Sequence, residues 1–177
     1  MIKKYKGAGP TIHPSAFLAE NTVVIGQVEI GENVSLWYGV SVRGDINRVR
    51  IGRDTNIQEQ TVIHVDSATE DADPEKGATI IGERVTVGHR ALLHACRIGN
   101  DCLIGMGAII LSGAEIGDGC IVGAGALVRE GQKVPPRSLV VGLPAVVKGS
   151  VSDERLAQIK DSARHYMDLA WEYKKAS

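Results

Sequence analysis

Aliphatic residues recur at every sixth position along most of the chain. Ile98, Ile104, Ile110, Ile116, Val122, Val128, Val134 and Val140 form one unbroken series. Ile12, Leu18, Val24, Ile30, Leu36 and Val42 form an earlier one, and two short runs (Ile51, Ile57 and Ile63; Ile81 and Val87) lie between them. Three register slips join these blocks. Cys102, Ala108, Ala114, Cys120 and Ala126, all small, stand four positions after members of the main series, and glycine directly follows members at Gly99, Gly105, Gly117 and Gly123. Such a hexad predicts a short strand with its aliphatic side chain inward, then a bend that needs a small residue and is relieved by glycine. Three hexads close an 18-residue turn, and turns stack by parallel pairing at roughly 4.8 Å. A single coil cannot bury its own face, so several must stack, and the block lengths supply about seven.

After Val151 the period changes. Leu156, Ile159, Ala163, Tyr166, Ala170 and Tyr173 are spaced by three and four, which predicts one apolar stripe on a helix of about six turns. Ser152 is placed to cap it, with Asp153 and Glu154 in the first turn where negative charge suits the helix dipole. Pro135, Pro136 and Pro144 mark the last coil and the exit toward the helix. The expected organisation is an all-β solenoid over 1–151 and a helix over 152–177 packed on it or on a neighbouring subunit.

Composition narrows the function. The chain has 177 residues, 36 of them valine or isoleucine and 21 glycine, with only 4% aromatic, which suits many short β-branched strands. A 44% hydrophobic content argues against disorder over most of the chain. Twenty basic and 21 acidic residues leave no excess to hold a phosphate backbone, so nucleic acid is not an expected partner. No signal peptide and no apolar run long enough for a membrane span is visible, so the expectation is a cytoplasmic protein. Cys96, Cys102 and Cys120 are odd in number and lack a CxxC pair. Their spacing by multiples of six reads as small buried repeat residues rather than a metal or disulfide set.

The register slips draw attention next. Between Ile63 and Ile81 the segment from Asp66 to Gly77 is polar and carries five acids, Asp66, Glu70, Asp71, Asp73 and Glu75, so it reads as a protruding loop. Removing these 12 residues restores the period. His64 and His94, 30 apart, are then one coil apart and face the same way, where two imidazoles can share a metal ion. His89 lies five residues before His94 on another side of the triangle, on the order of 16 Å away when extended. A cyclic trimer solves this, with His89 of one subunit meeting His64 and His94 of the next. Three neutral nitrogens with an open position describe a catalytic zinc site, although the three could also be unrelated surface or core histidines. His13 and His165 lack such partners and read as solvated side chains.

The hexads resemble those of the hexapeptide-repeat proteins, whose fold is a left-handed parallel β-helix. More specifically, the chain resembles the gamma-class carbonic anhydrases. The likeness rests on Val42-Arg43-Gly44-Asp45, Asn56-Ile57-Gln58-Glu59, Val62-Ile63-His64, the run from Val87 through His89 and His94 to Cys96, and Ile104-Gly105-Met106-Gly107-Ala108. It covers nearly the whole chain. The resemblance implies a homotrimer that interconverts CO₂ and bicarbonate, with zinc held by His64, His89 and His94 at subunit interfaces; three imidazoles also suit Fe²⁺ or Co²⁺. It implies that Gln58 hydrogen-bonds the water or bicarbonate, that Arg43 and Asp45 form an intersubunit ion-pair network beside Glu59, and that Tyr166 reaches toward the site. The metal would acidify its bound water so that hydroxide exists at neutral pH to attack CO₂, and a relay must then remove a proton. Ile46 departs from the family pattern, which has an acid there, and any of the five loop acids could act as relay. Two other readings stand beside this one: an acyltransferase using acyl-CoA with one histidine base, and a non-catalytic trimeric metal-binding scaffold.

Overall fold

The computed structural model describes residues 1–68, 73 and 75–176. Glu70 and Asp71, named above, lie outside the described residues.

The hexads wind into a three-sided parallel β-helix. On the first face Phe17–Leu18, Ser35–Leu36, Asn56–Ile57, Thr86–Val87, Leu103–Ile104, Ile121–Val122 and Ser138–Gly142 pair in register, giving seven rungs among the described residues. Leu36, Ile57, Val87, Ile104, Val122 and Val140 all point inward at 0% exposure, and the other two faces contribute parallel columns such as Val42, Ile63, Leu93 and Ile110. Burying each such side chain contributes roughly 1.5–3 kcal/mol, which is why the period of six persists. The three thiols sit in this core as free cysteines, and burial pushes Cys96 and Cys102 up to about 12.

Two details differ from the sequence expectation. The glycines that directly follow the aliphatic positions do not occupy the left-handed bends. A Cβ at Gly105 would meet the backbone nitrogen of Ala124 at 2.4 Å, so glycine there permits close stacking of coils, while the bends fall to residues such as Gly113 at φ +71°. In addition, not every strand is short. Val23–Ile30 and Ser41–Ile51 run unbroken around one corner, and Ser138–Gly142 turns back on Ala145–Ser150 as an antiparallel hairpin that closes the end of the coil.

The outward columns give each face a different character. The third face carries Thr11, Glu29, Arg50, Ile80, Arg97, Glu115 and Lys133. The second carries Val23, Ser41, Val62, Leu92, Ile109 and Leu127, with Val62 and Leu92 43% and 37% exposed. The first face is covered by the helix Asp153–Ala176, whose start is capped by Ser152 Oγ accepting the Arg155 N–H at 3.2 Å. Ile159, Ala163 and Ala170 are buried beneath the helix, and Tyr166 and Tyr173 stack edge-on against Trp37 at 5.7 and 5.2 Å. No described helix is long and apolar enough to cross a membrane.

All three register slips fall at one corner, between the second and third faces. The extra residues around Asp45–Asn47 bulge there, the loop from Asp66 to Gly77 leaves there, and the third slip shortens the turn after His94 by one residue. The loop base is closed by the Asp66 N–H donating to Gly77 O at 2.8 Å. Rather than standing free, its described part is clamped: Arg97 pairs with Asp73 at 2.6 Å and Glu75 at 2.7 Å, and Arg50 reaches Glu75 at 3.3 Å.

Candidate metal centre

His64 and His94 end neighbouring strands, Val62–His64 and Leu92–His94, and are direct register partners. The strands hold the rings 5.2 Å apart between centroids, with His64 Nδ1 3.2 Å from His94 Nε2. On a tetrahedral zinc ion with bonds of about 2.0–2.1 Å, two ligand nitrogens lie about 3.3 Å apart, so this pair has the separation of two ligands of one ion.

The other nitrogen of each ring is held by an oxygen. Asp45 Oδ1 lies 3.2 Å from His64 Nε2, and Ser112 Oγ lies 3.0 Å from His94 Nδ1. An ionised carboxylate only accepts, so His64 carries its proton on Nε2 and a neutral ring turns the Nδ1 lone pair inward. Burial pushes the His64 pKa down, against the raising effect of Asp45, which favours that neutral ring. Burial raises the Asp45 carboxyl, but hydrogen bonds from Arg43 and His64, with the guanidinium charge, outweigh it and hold it below its ordinary value. Arg43 Nη1 donates to Asp45 Oδ2 at 2.6 Å within the same chain. Ligands of this kind are usually held from behind in this way, which fixes tautomer and direction.

His89 stands at the opposite edge of the second face, in the turn before Leu92–His94. Its Nδ1 faces Glu59 Oε2 at 2.5 Å, which leaves Nε2 uncommitted. Among the described residues of one chain, no three His, Cys, Asp or Glu side chains converge to hold a metal. The structure therefore brings His64, His94 and Asp45 together at one edge, and His89 with Glu59 at the other. Gln58 lies beside the second pair, 6% exposed, its Nε2 donating to Asn56 Oδ1 at 3.3 Å, while Asn56 donates to Thr86 Oγ1 at 2.9 Å. Tyr166 packs on Trp37, and its phenol is pushed up by burial first and then by the Glu59 charge.

Of the loop acids, Asp66 approaches the centre, its Oδ1 3.6 Å from His94 Nδ1, whereas Asp73 and Glu75 are engaged by arginines. His13 and His165 are exposed and far along the chain from the pair. Ser112 is the residue that motif reading passes over. Its signal was the spacing of five, not six, from Leu93 to Ile98, which tightens the turn below it.

A family model described as bacterial transferase hexapeptide (six repeats) matches residues 95–130. Over 161 residues the chain is 38% identical to gamma carbonic anhydrase 2, mitochondrial, of Arabidopsis thaliana, covering 91% of this chain but 57% of that protein. The chain thus spans little more than half the length of that plant relative. It is 45% identical to a probable carbonic anhydrase of Methanocaldococcus jannaschii, covering 86% of this chain and 91% of the relative. Among solved structures, one titled as a putative acetyltransferase from Bacillus cereus superposes with a TM-score of 0.92 at 39% identity, covering 99% and 98% of the two chains. Another, titled as a hexapeptide transferase family protein from Anaplasma phagocytophilum, gives 0.89 at 37% identity, covering 97% of each.

Proposed function

The chain belongs to the gamma-class carbonic anhydrase family of hexapeptide-repeat, left-handed β-helix proteins, and on that premise we propose that it hydrates CO₂ reversibly to bicarbonate as a homotrimer. The observation that carries this reading is the convergence of His64 Nδ1 and His94 Nε2 at 3.2 Å, each ring held from behind by an oxygen. His89 of a second protomer completes the ligand set, and zinc is the ion three imidazoles and an open position suit, with Fe²⁺ or Co²⁺ as alternatives. The trimer buries the second face, whose outward column is apolar at every described position but Ser41 and is flanked by the two half-sites.

When bound, the metal supplies a nucleophile at neutral pH by acidifying water. The chain's own groups do the rest. Asp45 and Glu59 accept the outer ring protons of His64 and His89 and so aim the inner lone pairs. Gln58, its amide nitrogen committed to Asn56, offers Oε1 toward the substrate side. Arg43 balances Asp45, and Asp66, 47% exposed, accepts the proton that must leave for solvent. Tyr166 backs Glu59 from the helix.

The titles of the solved relatives keep acyl transfer as a second reading. It needs one histidine base, which would leave the matched pair without a purpose. The test measures metal content and CO₂ hydration together, on protein purified without a metal-affinity tag. About one metal per subunit with chelator-sensitive hydration is expected. Metal without hydration would leave a scaffold, and metal-free acylation from acetyl-CoA would return the transferase reading.

A further inference from the structure

We propose that Ser112 is the positioning residue that lets His94 exchange tautomers when the metal enters, an inference that rests on the metal centre proposed above. Its starting point is the asymmetry between the two outer partners. Asp45 can only accept, so His64 keeps its proton on Nε2 whether or not an ion is present. Ser112 offers a hydroxyl, which both donates and accepts, at 3.0 Å from His94 Nδ1.

That difference matters because the inner nitrogens lie 3.2 Å apart. With His64 Nδ1 a lone pair, a second lone pair on His94 Nε2 would face it across hydrogen-bonding distance with nothing between. The metal-free pair avoids this by placing the His94 proton on Nε2, which donates to His64 Nδ1, while Ser112 O–H donates to His94 Nδ1. In the loaded pair Nε2 must be a lone pair, so the proton resides on Nδ1 and Ser112 Oγ accepts it. The ring proton moves from Nε2 to Nδ1 through solvent exchange, with no net change in ring charge. A carboxylate in place of Ser112 would permit only the second arrangement and leave the metal-free lone pairs opposed.

The fold explains how Ser112 comes to be there. The turn after His94 is one residue shorter than those above it, with Ala95 at φ +47° doing what Gly113 does on the next coil. The next turn therefore overhangs the ring, and Gly113 N–H donates back to Ala95 O at 2.7 Å, tying the two turns together. Asp66, the other oxygen near His94 Nδ1, is at 3.6 Å, too far to hydrogen-bond.

Nitrogen-15 spectra of histidine-labelled full-length protein, taken metal-free and with Zn²⁺ added, test this directly. The expected result is neutral His94 protonated on Nε2 without zinc and on Nδ1 with it, while His64 stays protonated on Nε2 throughout. Ser112→Ala should weaken zinc by about 10–100-fold in chelator competition, with unchanged circular dichroism and melting; Ser112→Thr should restore it, and Asp66→Asn should not change it. Nδ1 protonation of His94 in both states overturns the inference. So does a Ser112→Ala protein that holds zinc as tightly as the wild type, or one matched in its loss by Asp66→Asn. Zinc binding without CO₂ hydration would overturn the enzyme reading and leave this inference standing, whereas a wild type that takes up no zinc overturns both.

Discussion

At the scale of single residues, the centre is set by what stands behind each histidine as much as by the histidines themselves. Glu59, Asp45 and Ser112 each occupy one nitrogen of a ring, and the other is the one proposed to face an ion. His94 is partly exposed and its strand is held by backbone pairing on both sides, so His94→Ala removes a proposed ligand without opening the core. The expected outcome is loss of bound metal with an unchanged circular dichroism spectrum; unfolding instead would mean that the pair is part of the scaffold. His64 and His94 could be paired from sequence because the 18-residue turn converts spacing into stacking, whereas His89 needed the premise of a trimer. Asp45 needed family resemblance, and Ser112 was legible only as a shortened turn after Leu93, since nothing in a Leu-Ser-Gly corner says which side chain that turn brings to His94.

At the scale of elements, the decisive feature is the corner where every register slip falls. Regular hexads stack small bends there, and the slips replace them with a bulge, a loop and a shortened turn that carry Asp45, Asp66 and the overhang of Ser112. The described part of the loop expected to stand out from the surface is tied down because Arg50 and Arg97 project from the third face beneath it. Asp73 is held below its ordinary 3.8 by the Glu75 backbone N–H first and by Arg97. A carboxyl depressed in the folded state stabilises above its unfolded pKa, and that contribution is lost as pH falls through the folded value. Amide protection at Lys76 and Ala78, whose N–H groups donate to Asp73 O and Glu75 O, should therefore hold from neutral pH to about 4, near the ordinary carboxylate range, and decline below it. Arg97→Ala should lower the same protection already at pH 7; equal exchange in both proteins would show that the clamp does not order the loop.

At the scale of the molecule, the three faces have separate fates. The helix covers one, charged residues solvate another, and the face with Val62, Leu92, Ile109 and Leu127 is the one the proposed trimer buries. Its two edges carry the His64–His94 pair and His89, so the proposed trimer would couple association to metal binding. Leu92→Glu would bury a charge at each interface. Light scattering should report a dissociation constant raised at least tenfold, about 1.4 kcal/mol, with bound zinc lost in parallel and the β-helix intact. A trimer of unchanged strength would place the interface elsewhere.

The sequence alone determined the coil count, the inward columns, the terminal helix and the one-coil offset of His64 and His94, because each follows from a period and a period survives in one dimension. Only the tertiary structure decided that the glycines serve close stacking, that two strands run through a corner, that a hairpin closes the end and that arginines hold Asp73 and Glu75 of the loop. It also decided which oxygen stands behind each ring. Those outcomes depend on what lies one coil above or below, where a single inserted or missing residue changes the neighbour without changing the repeat.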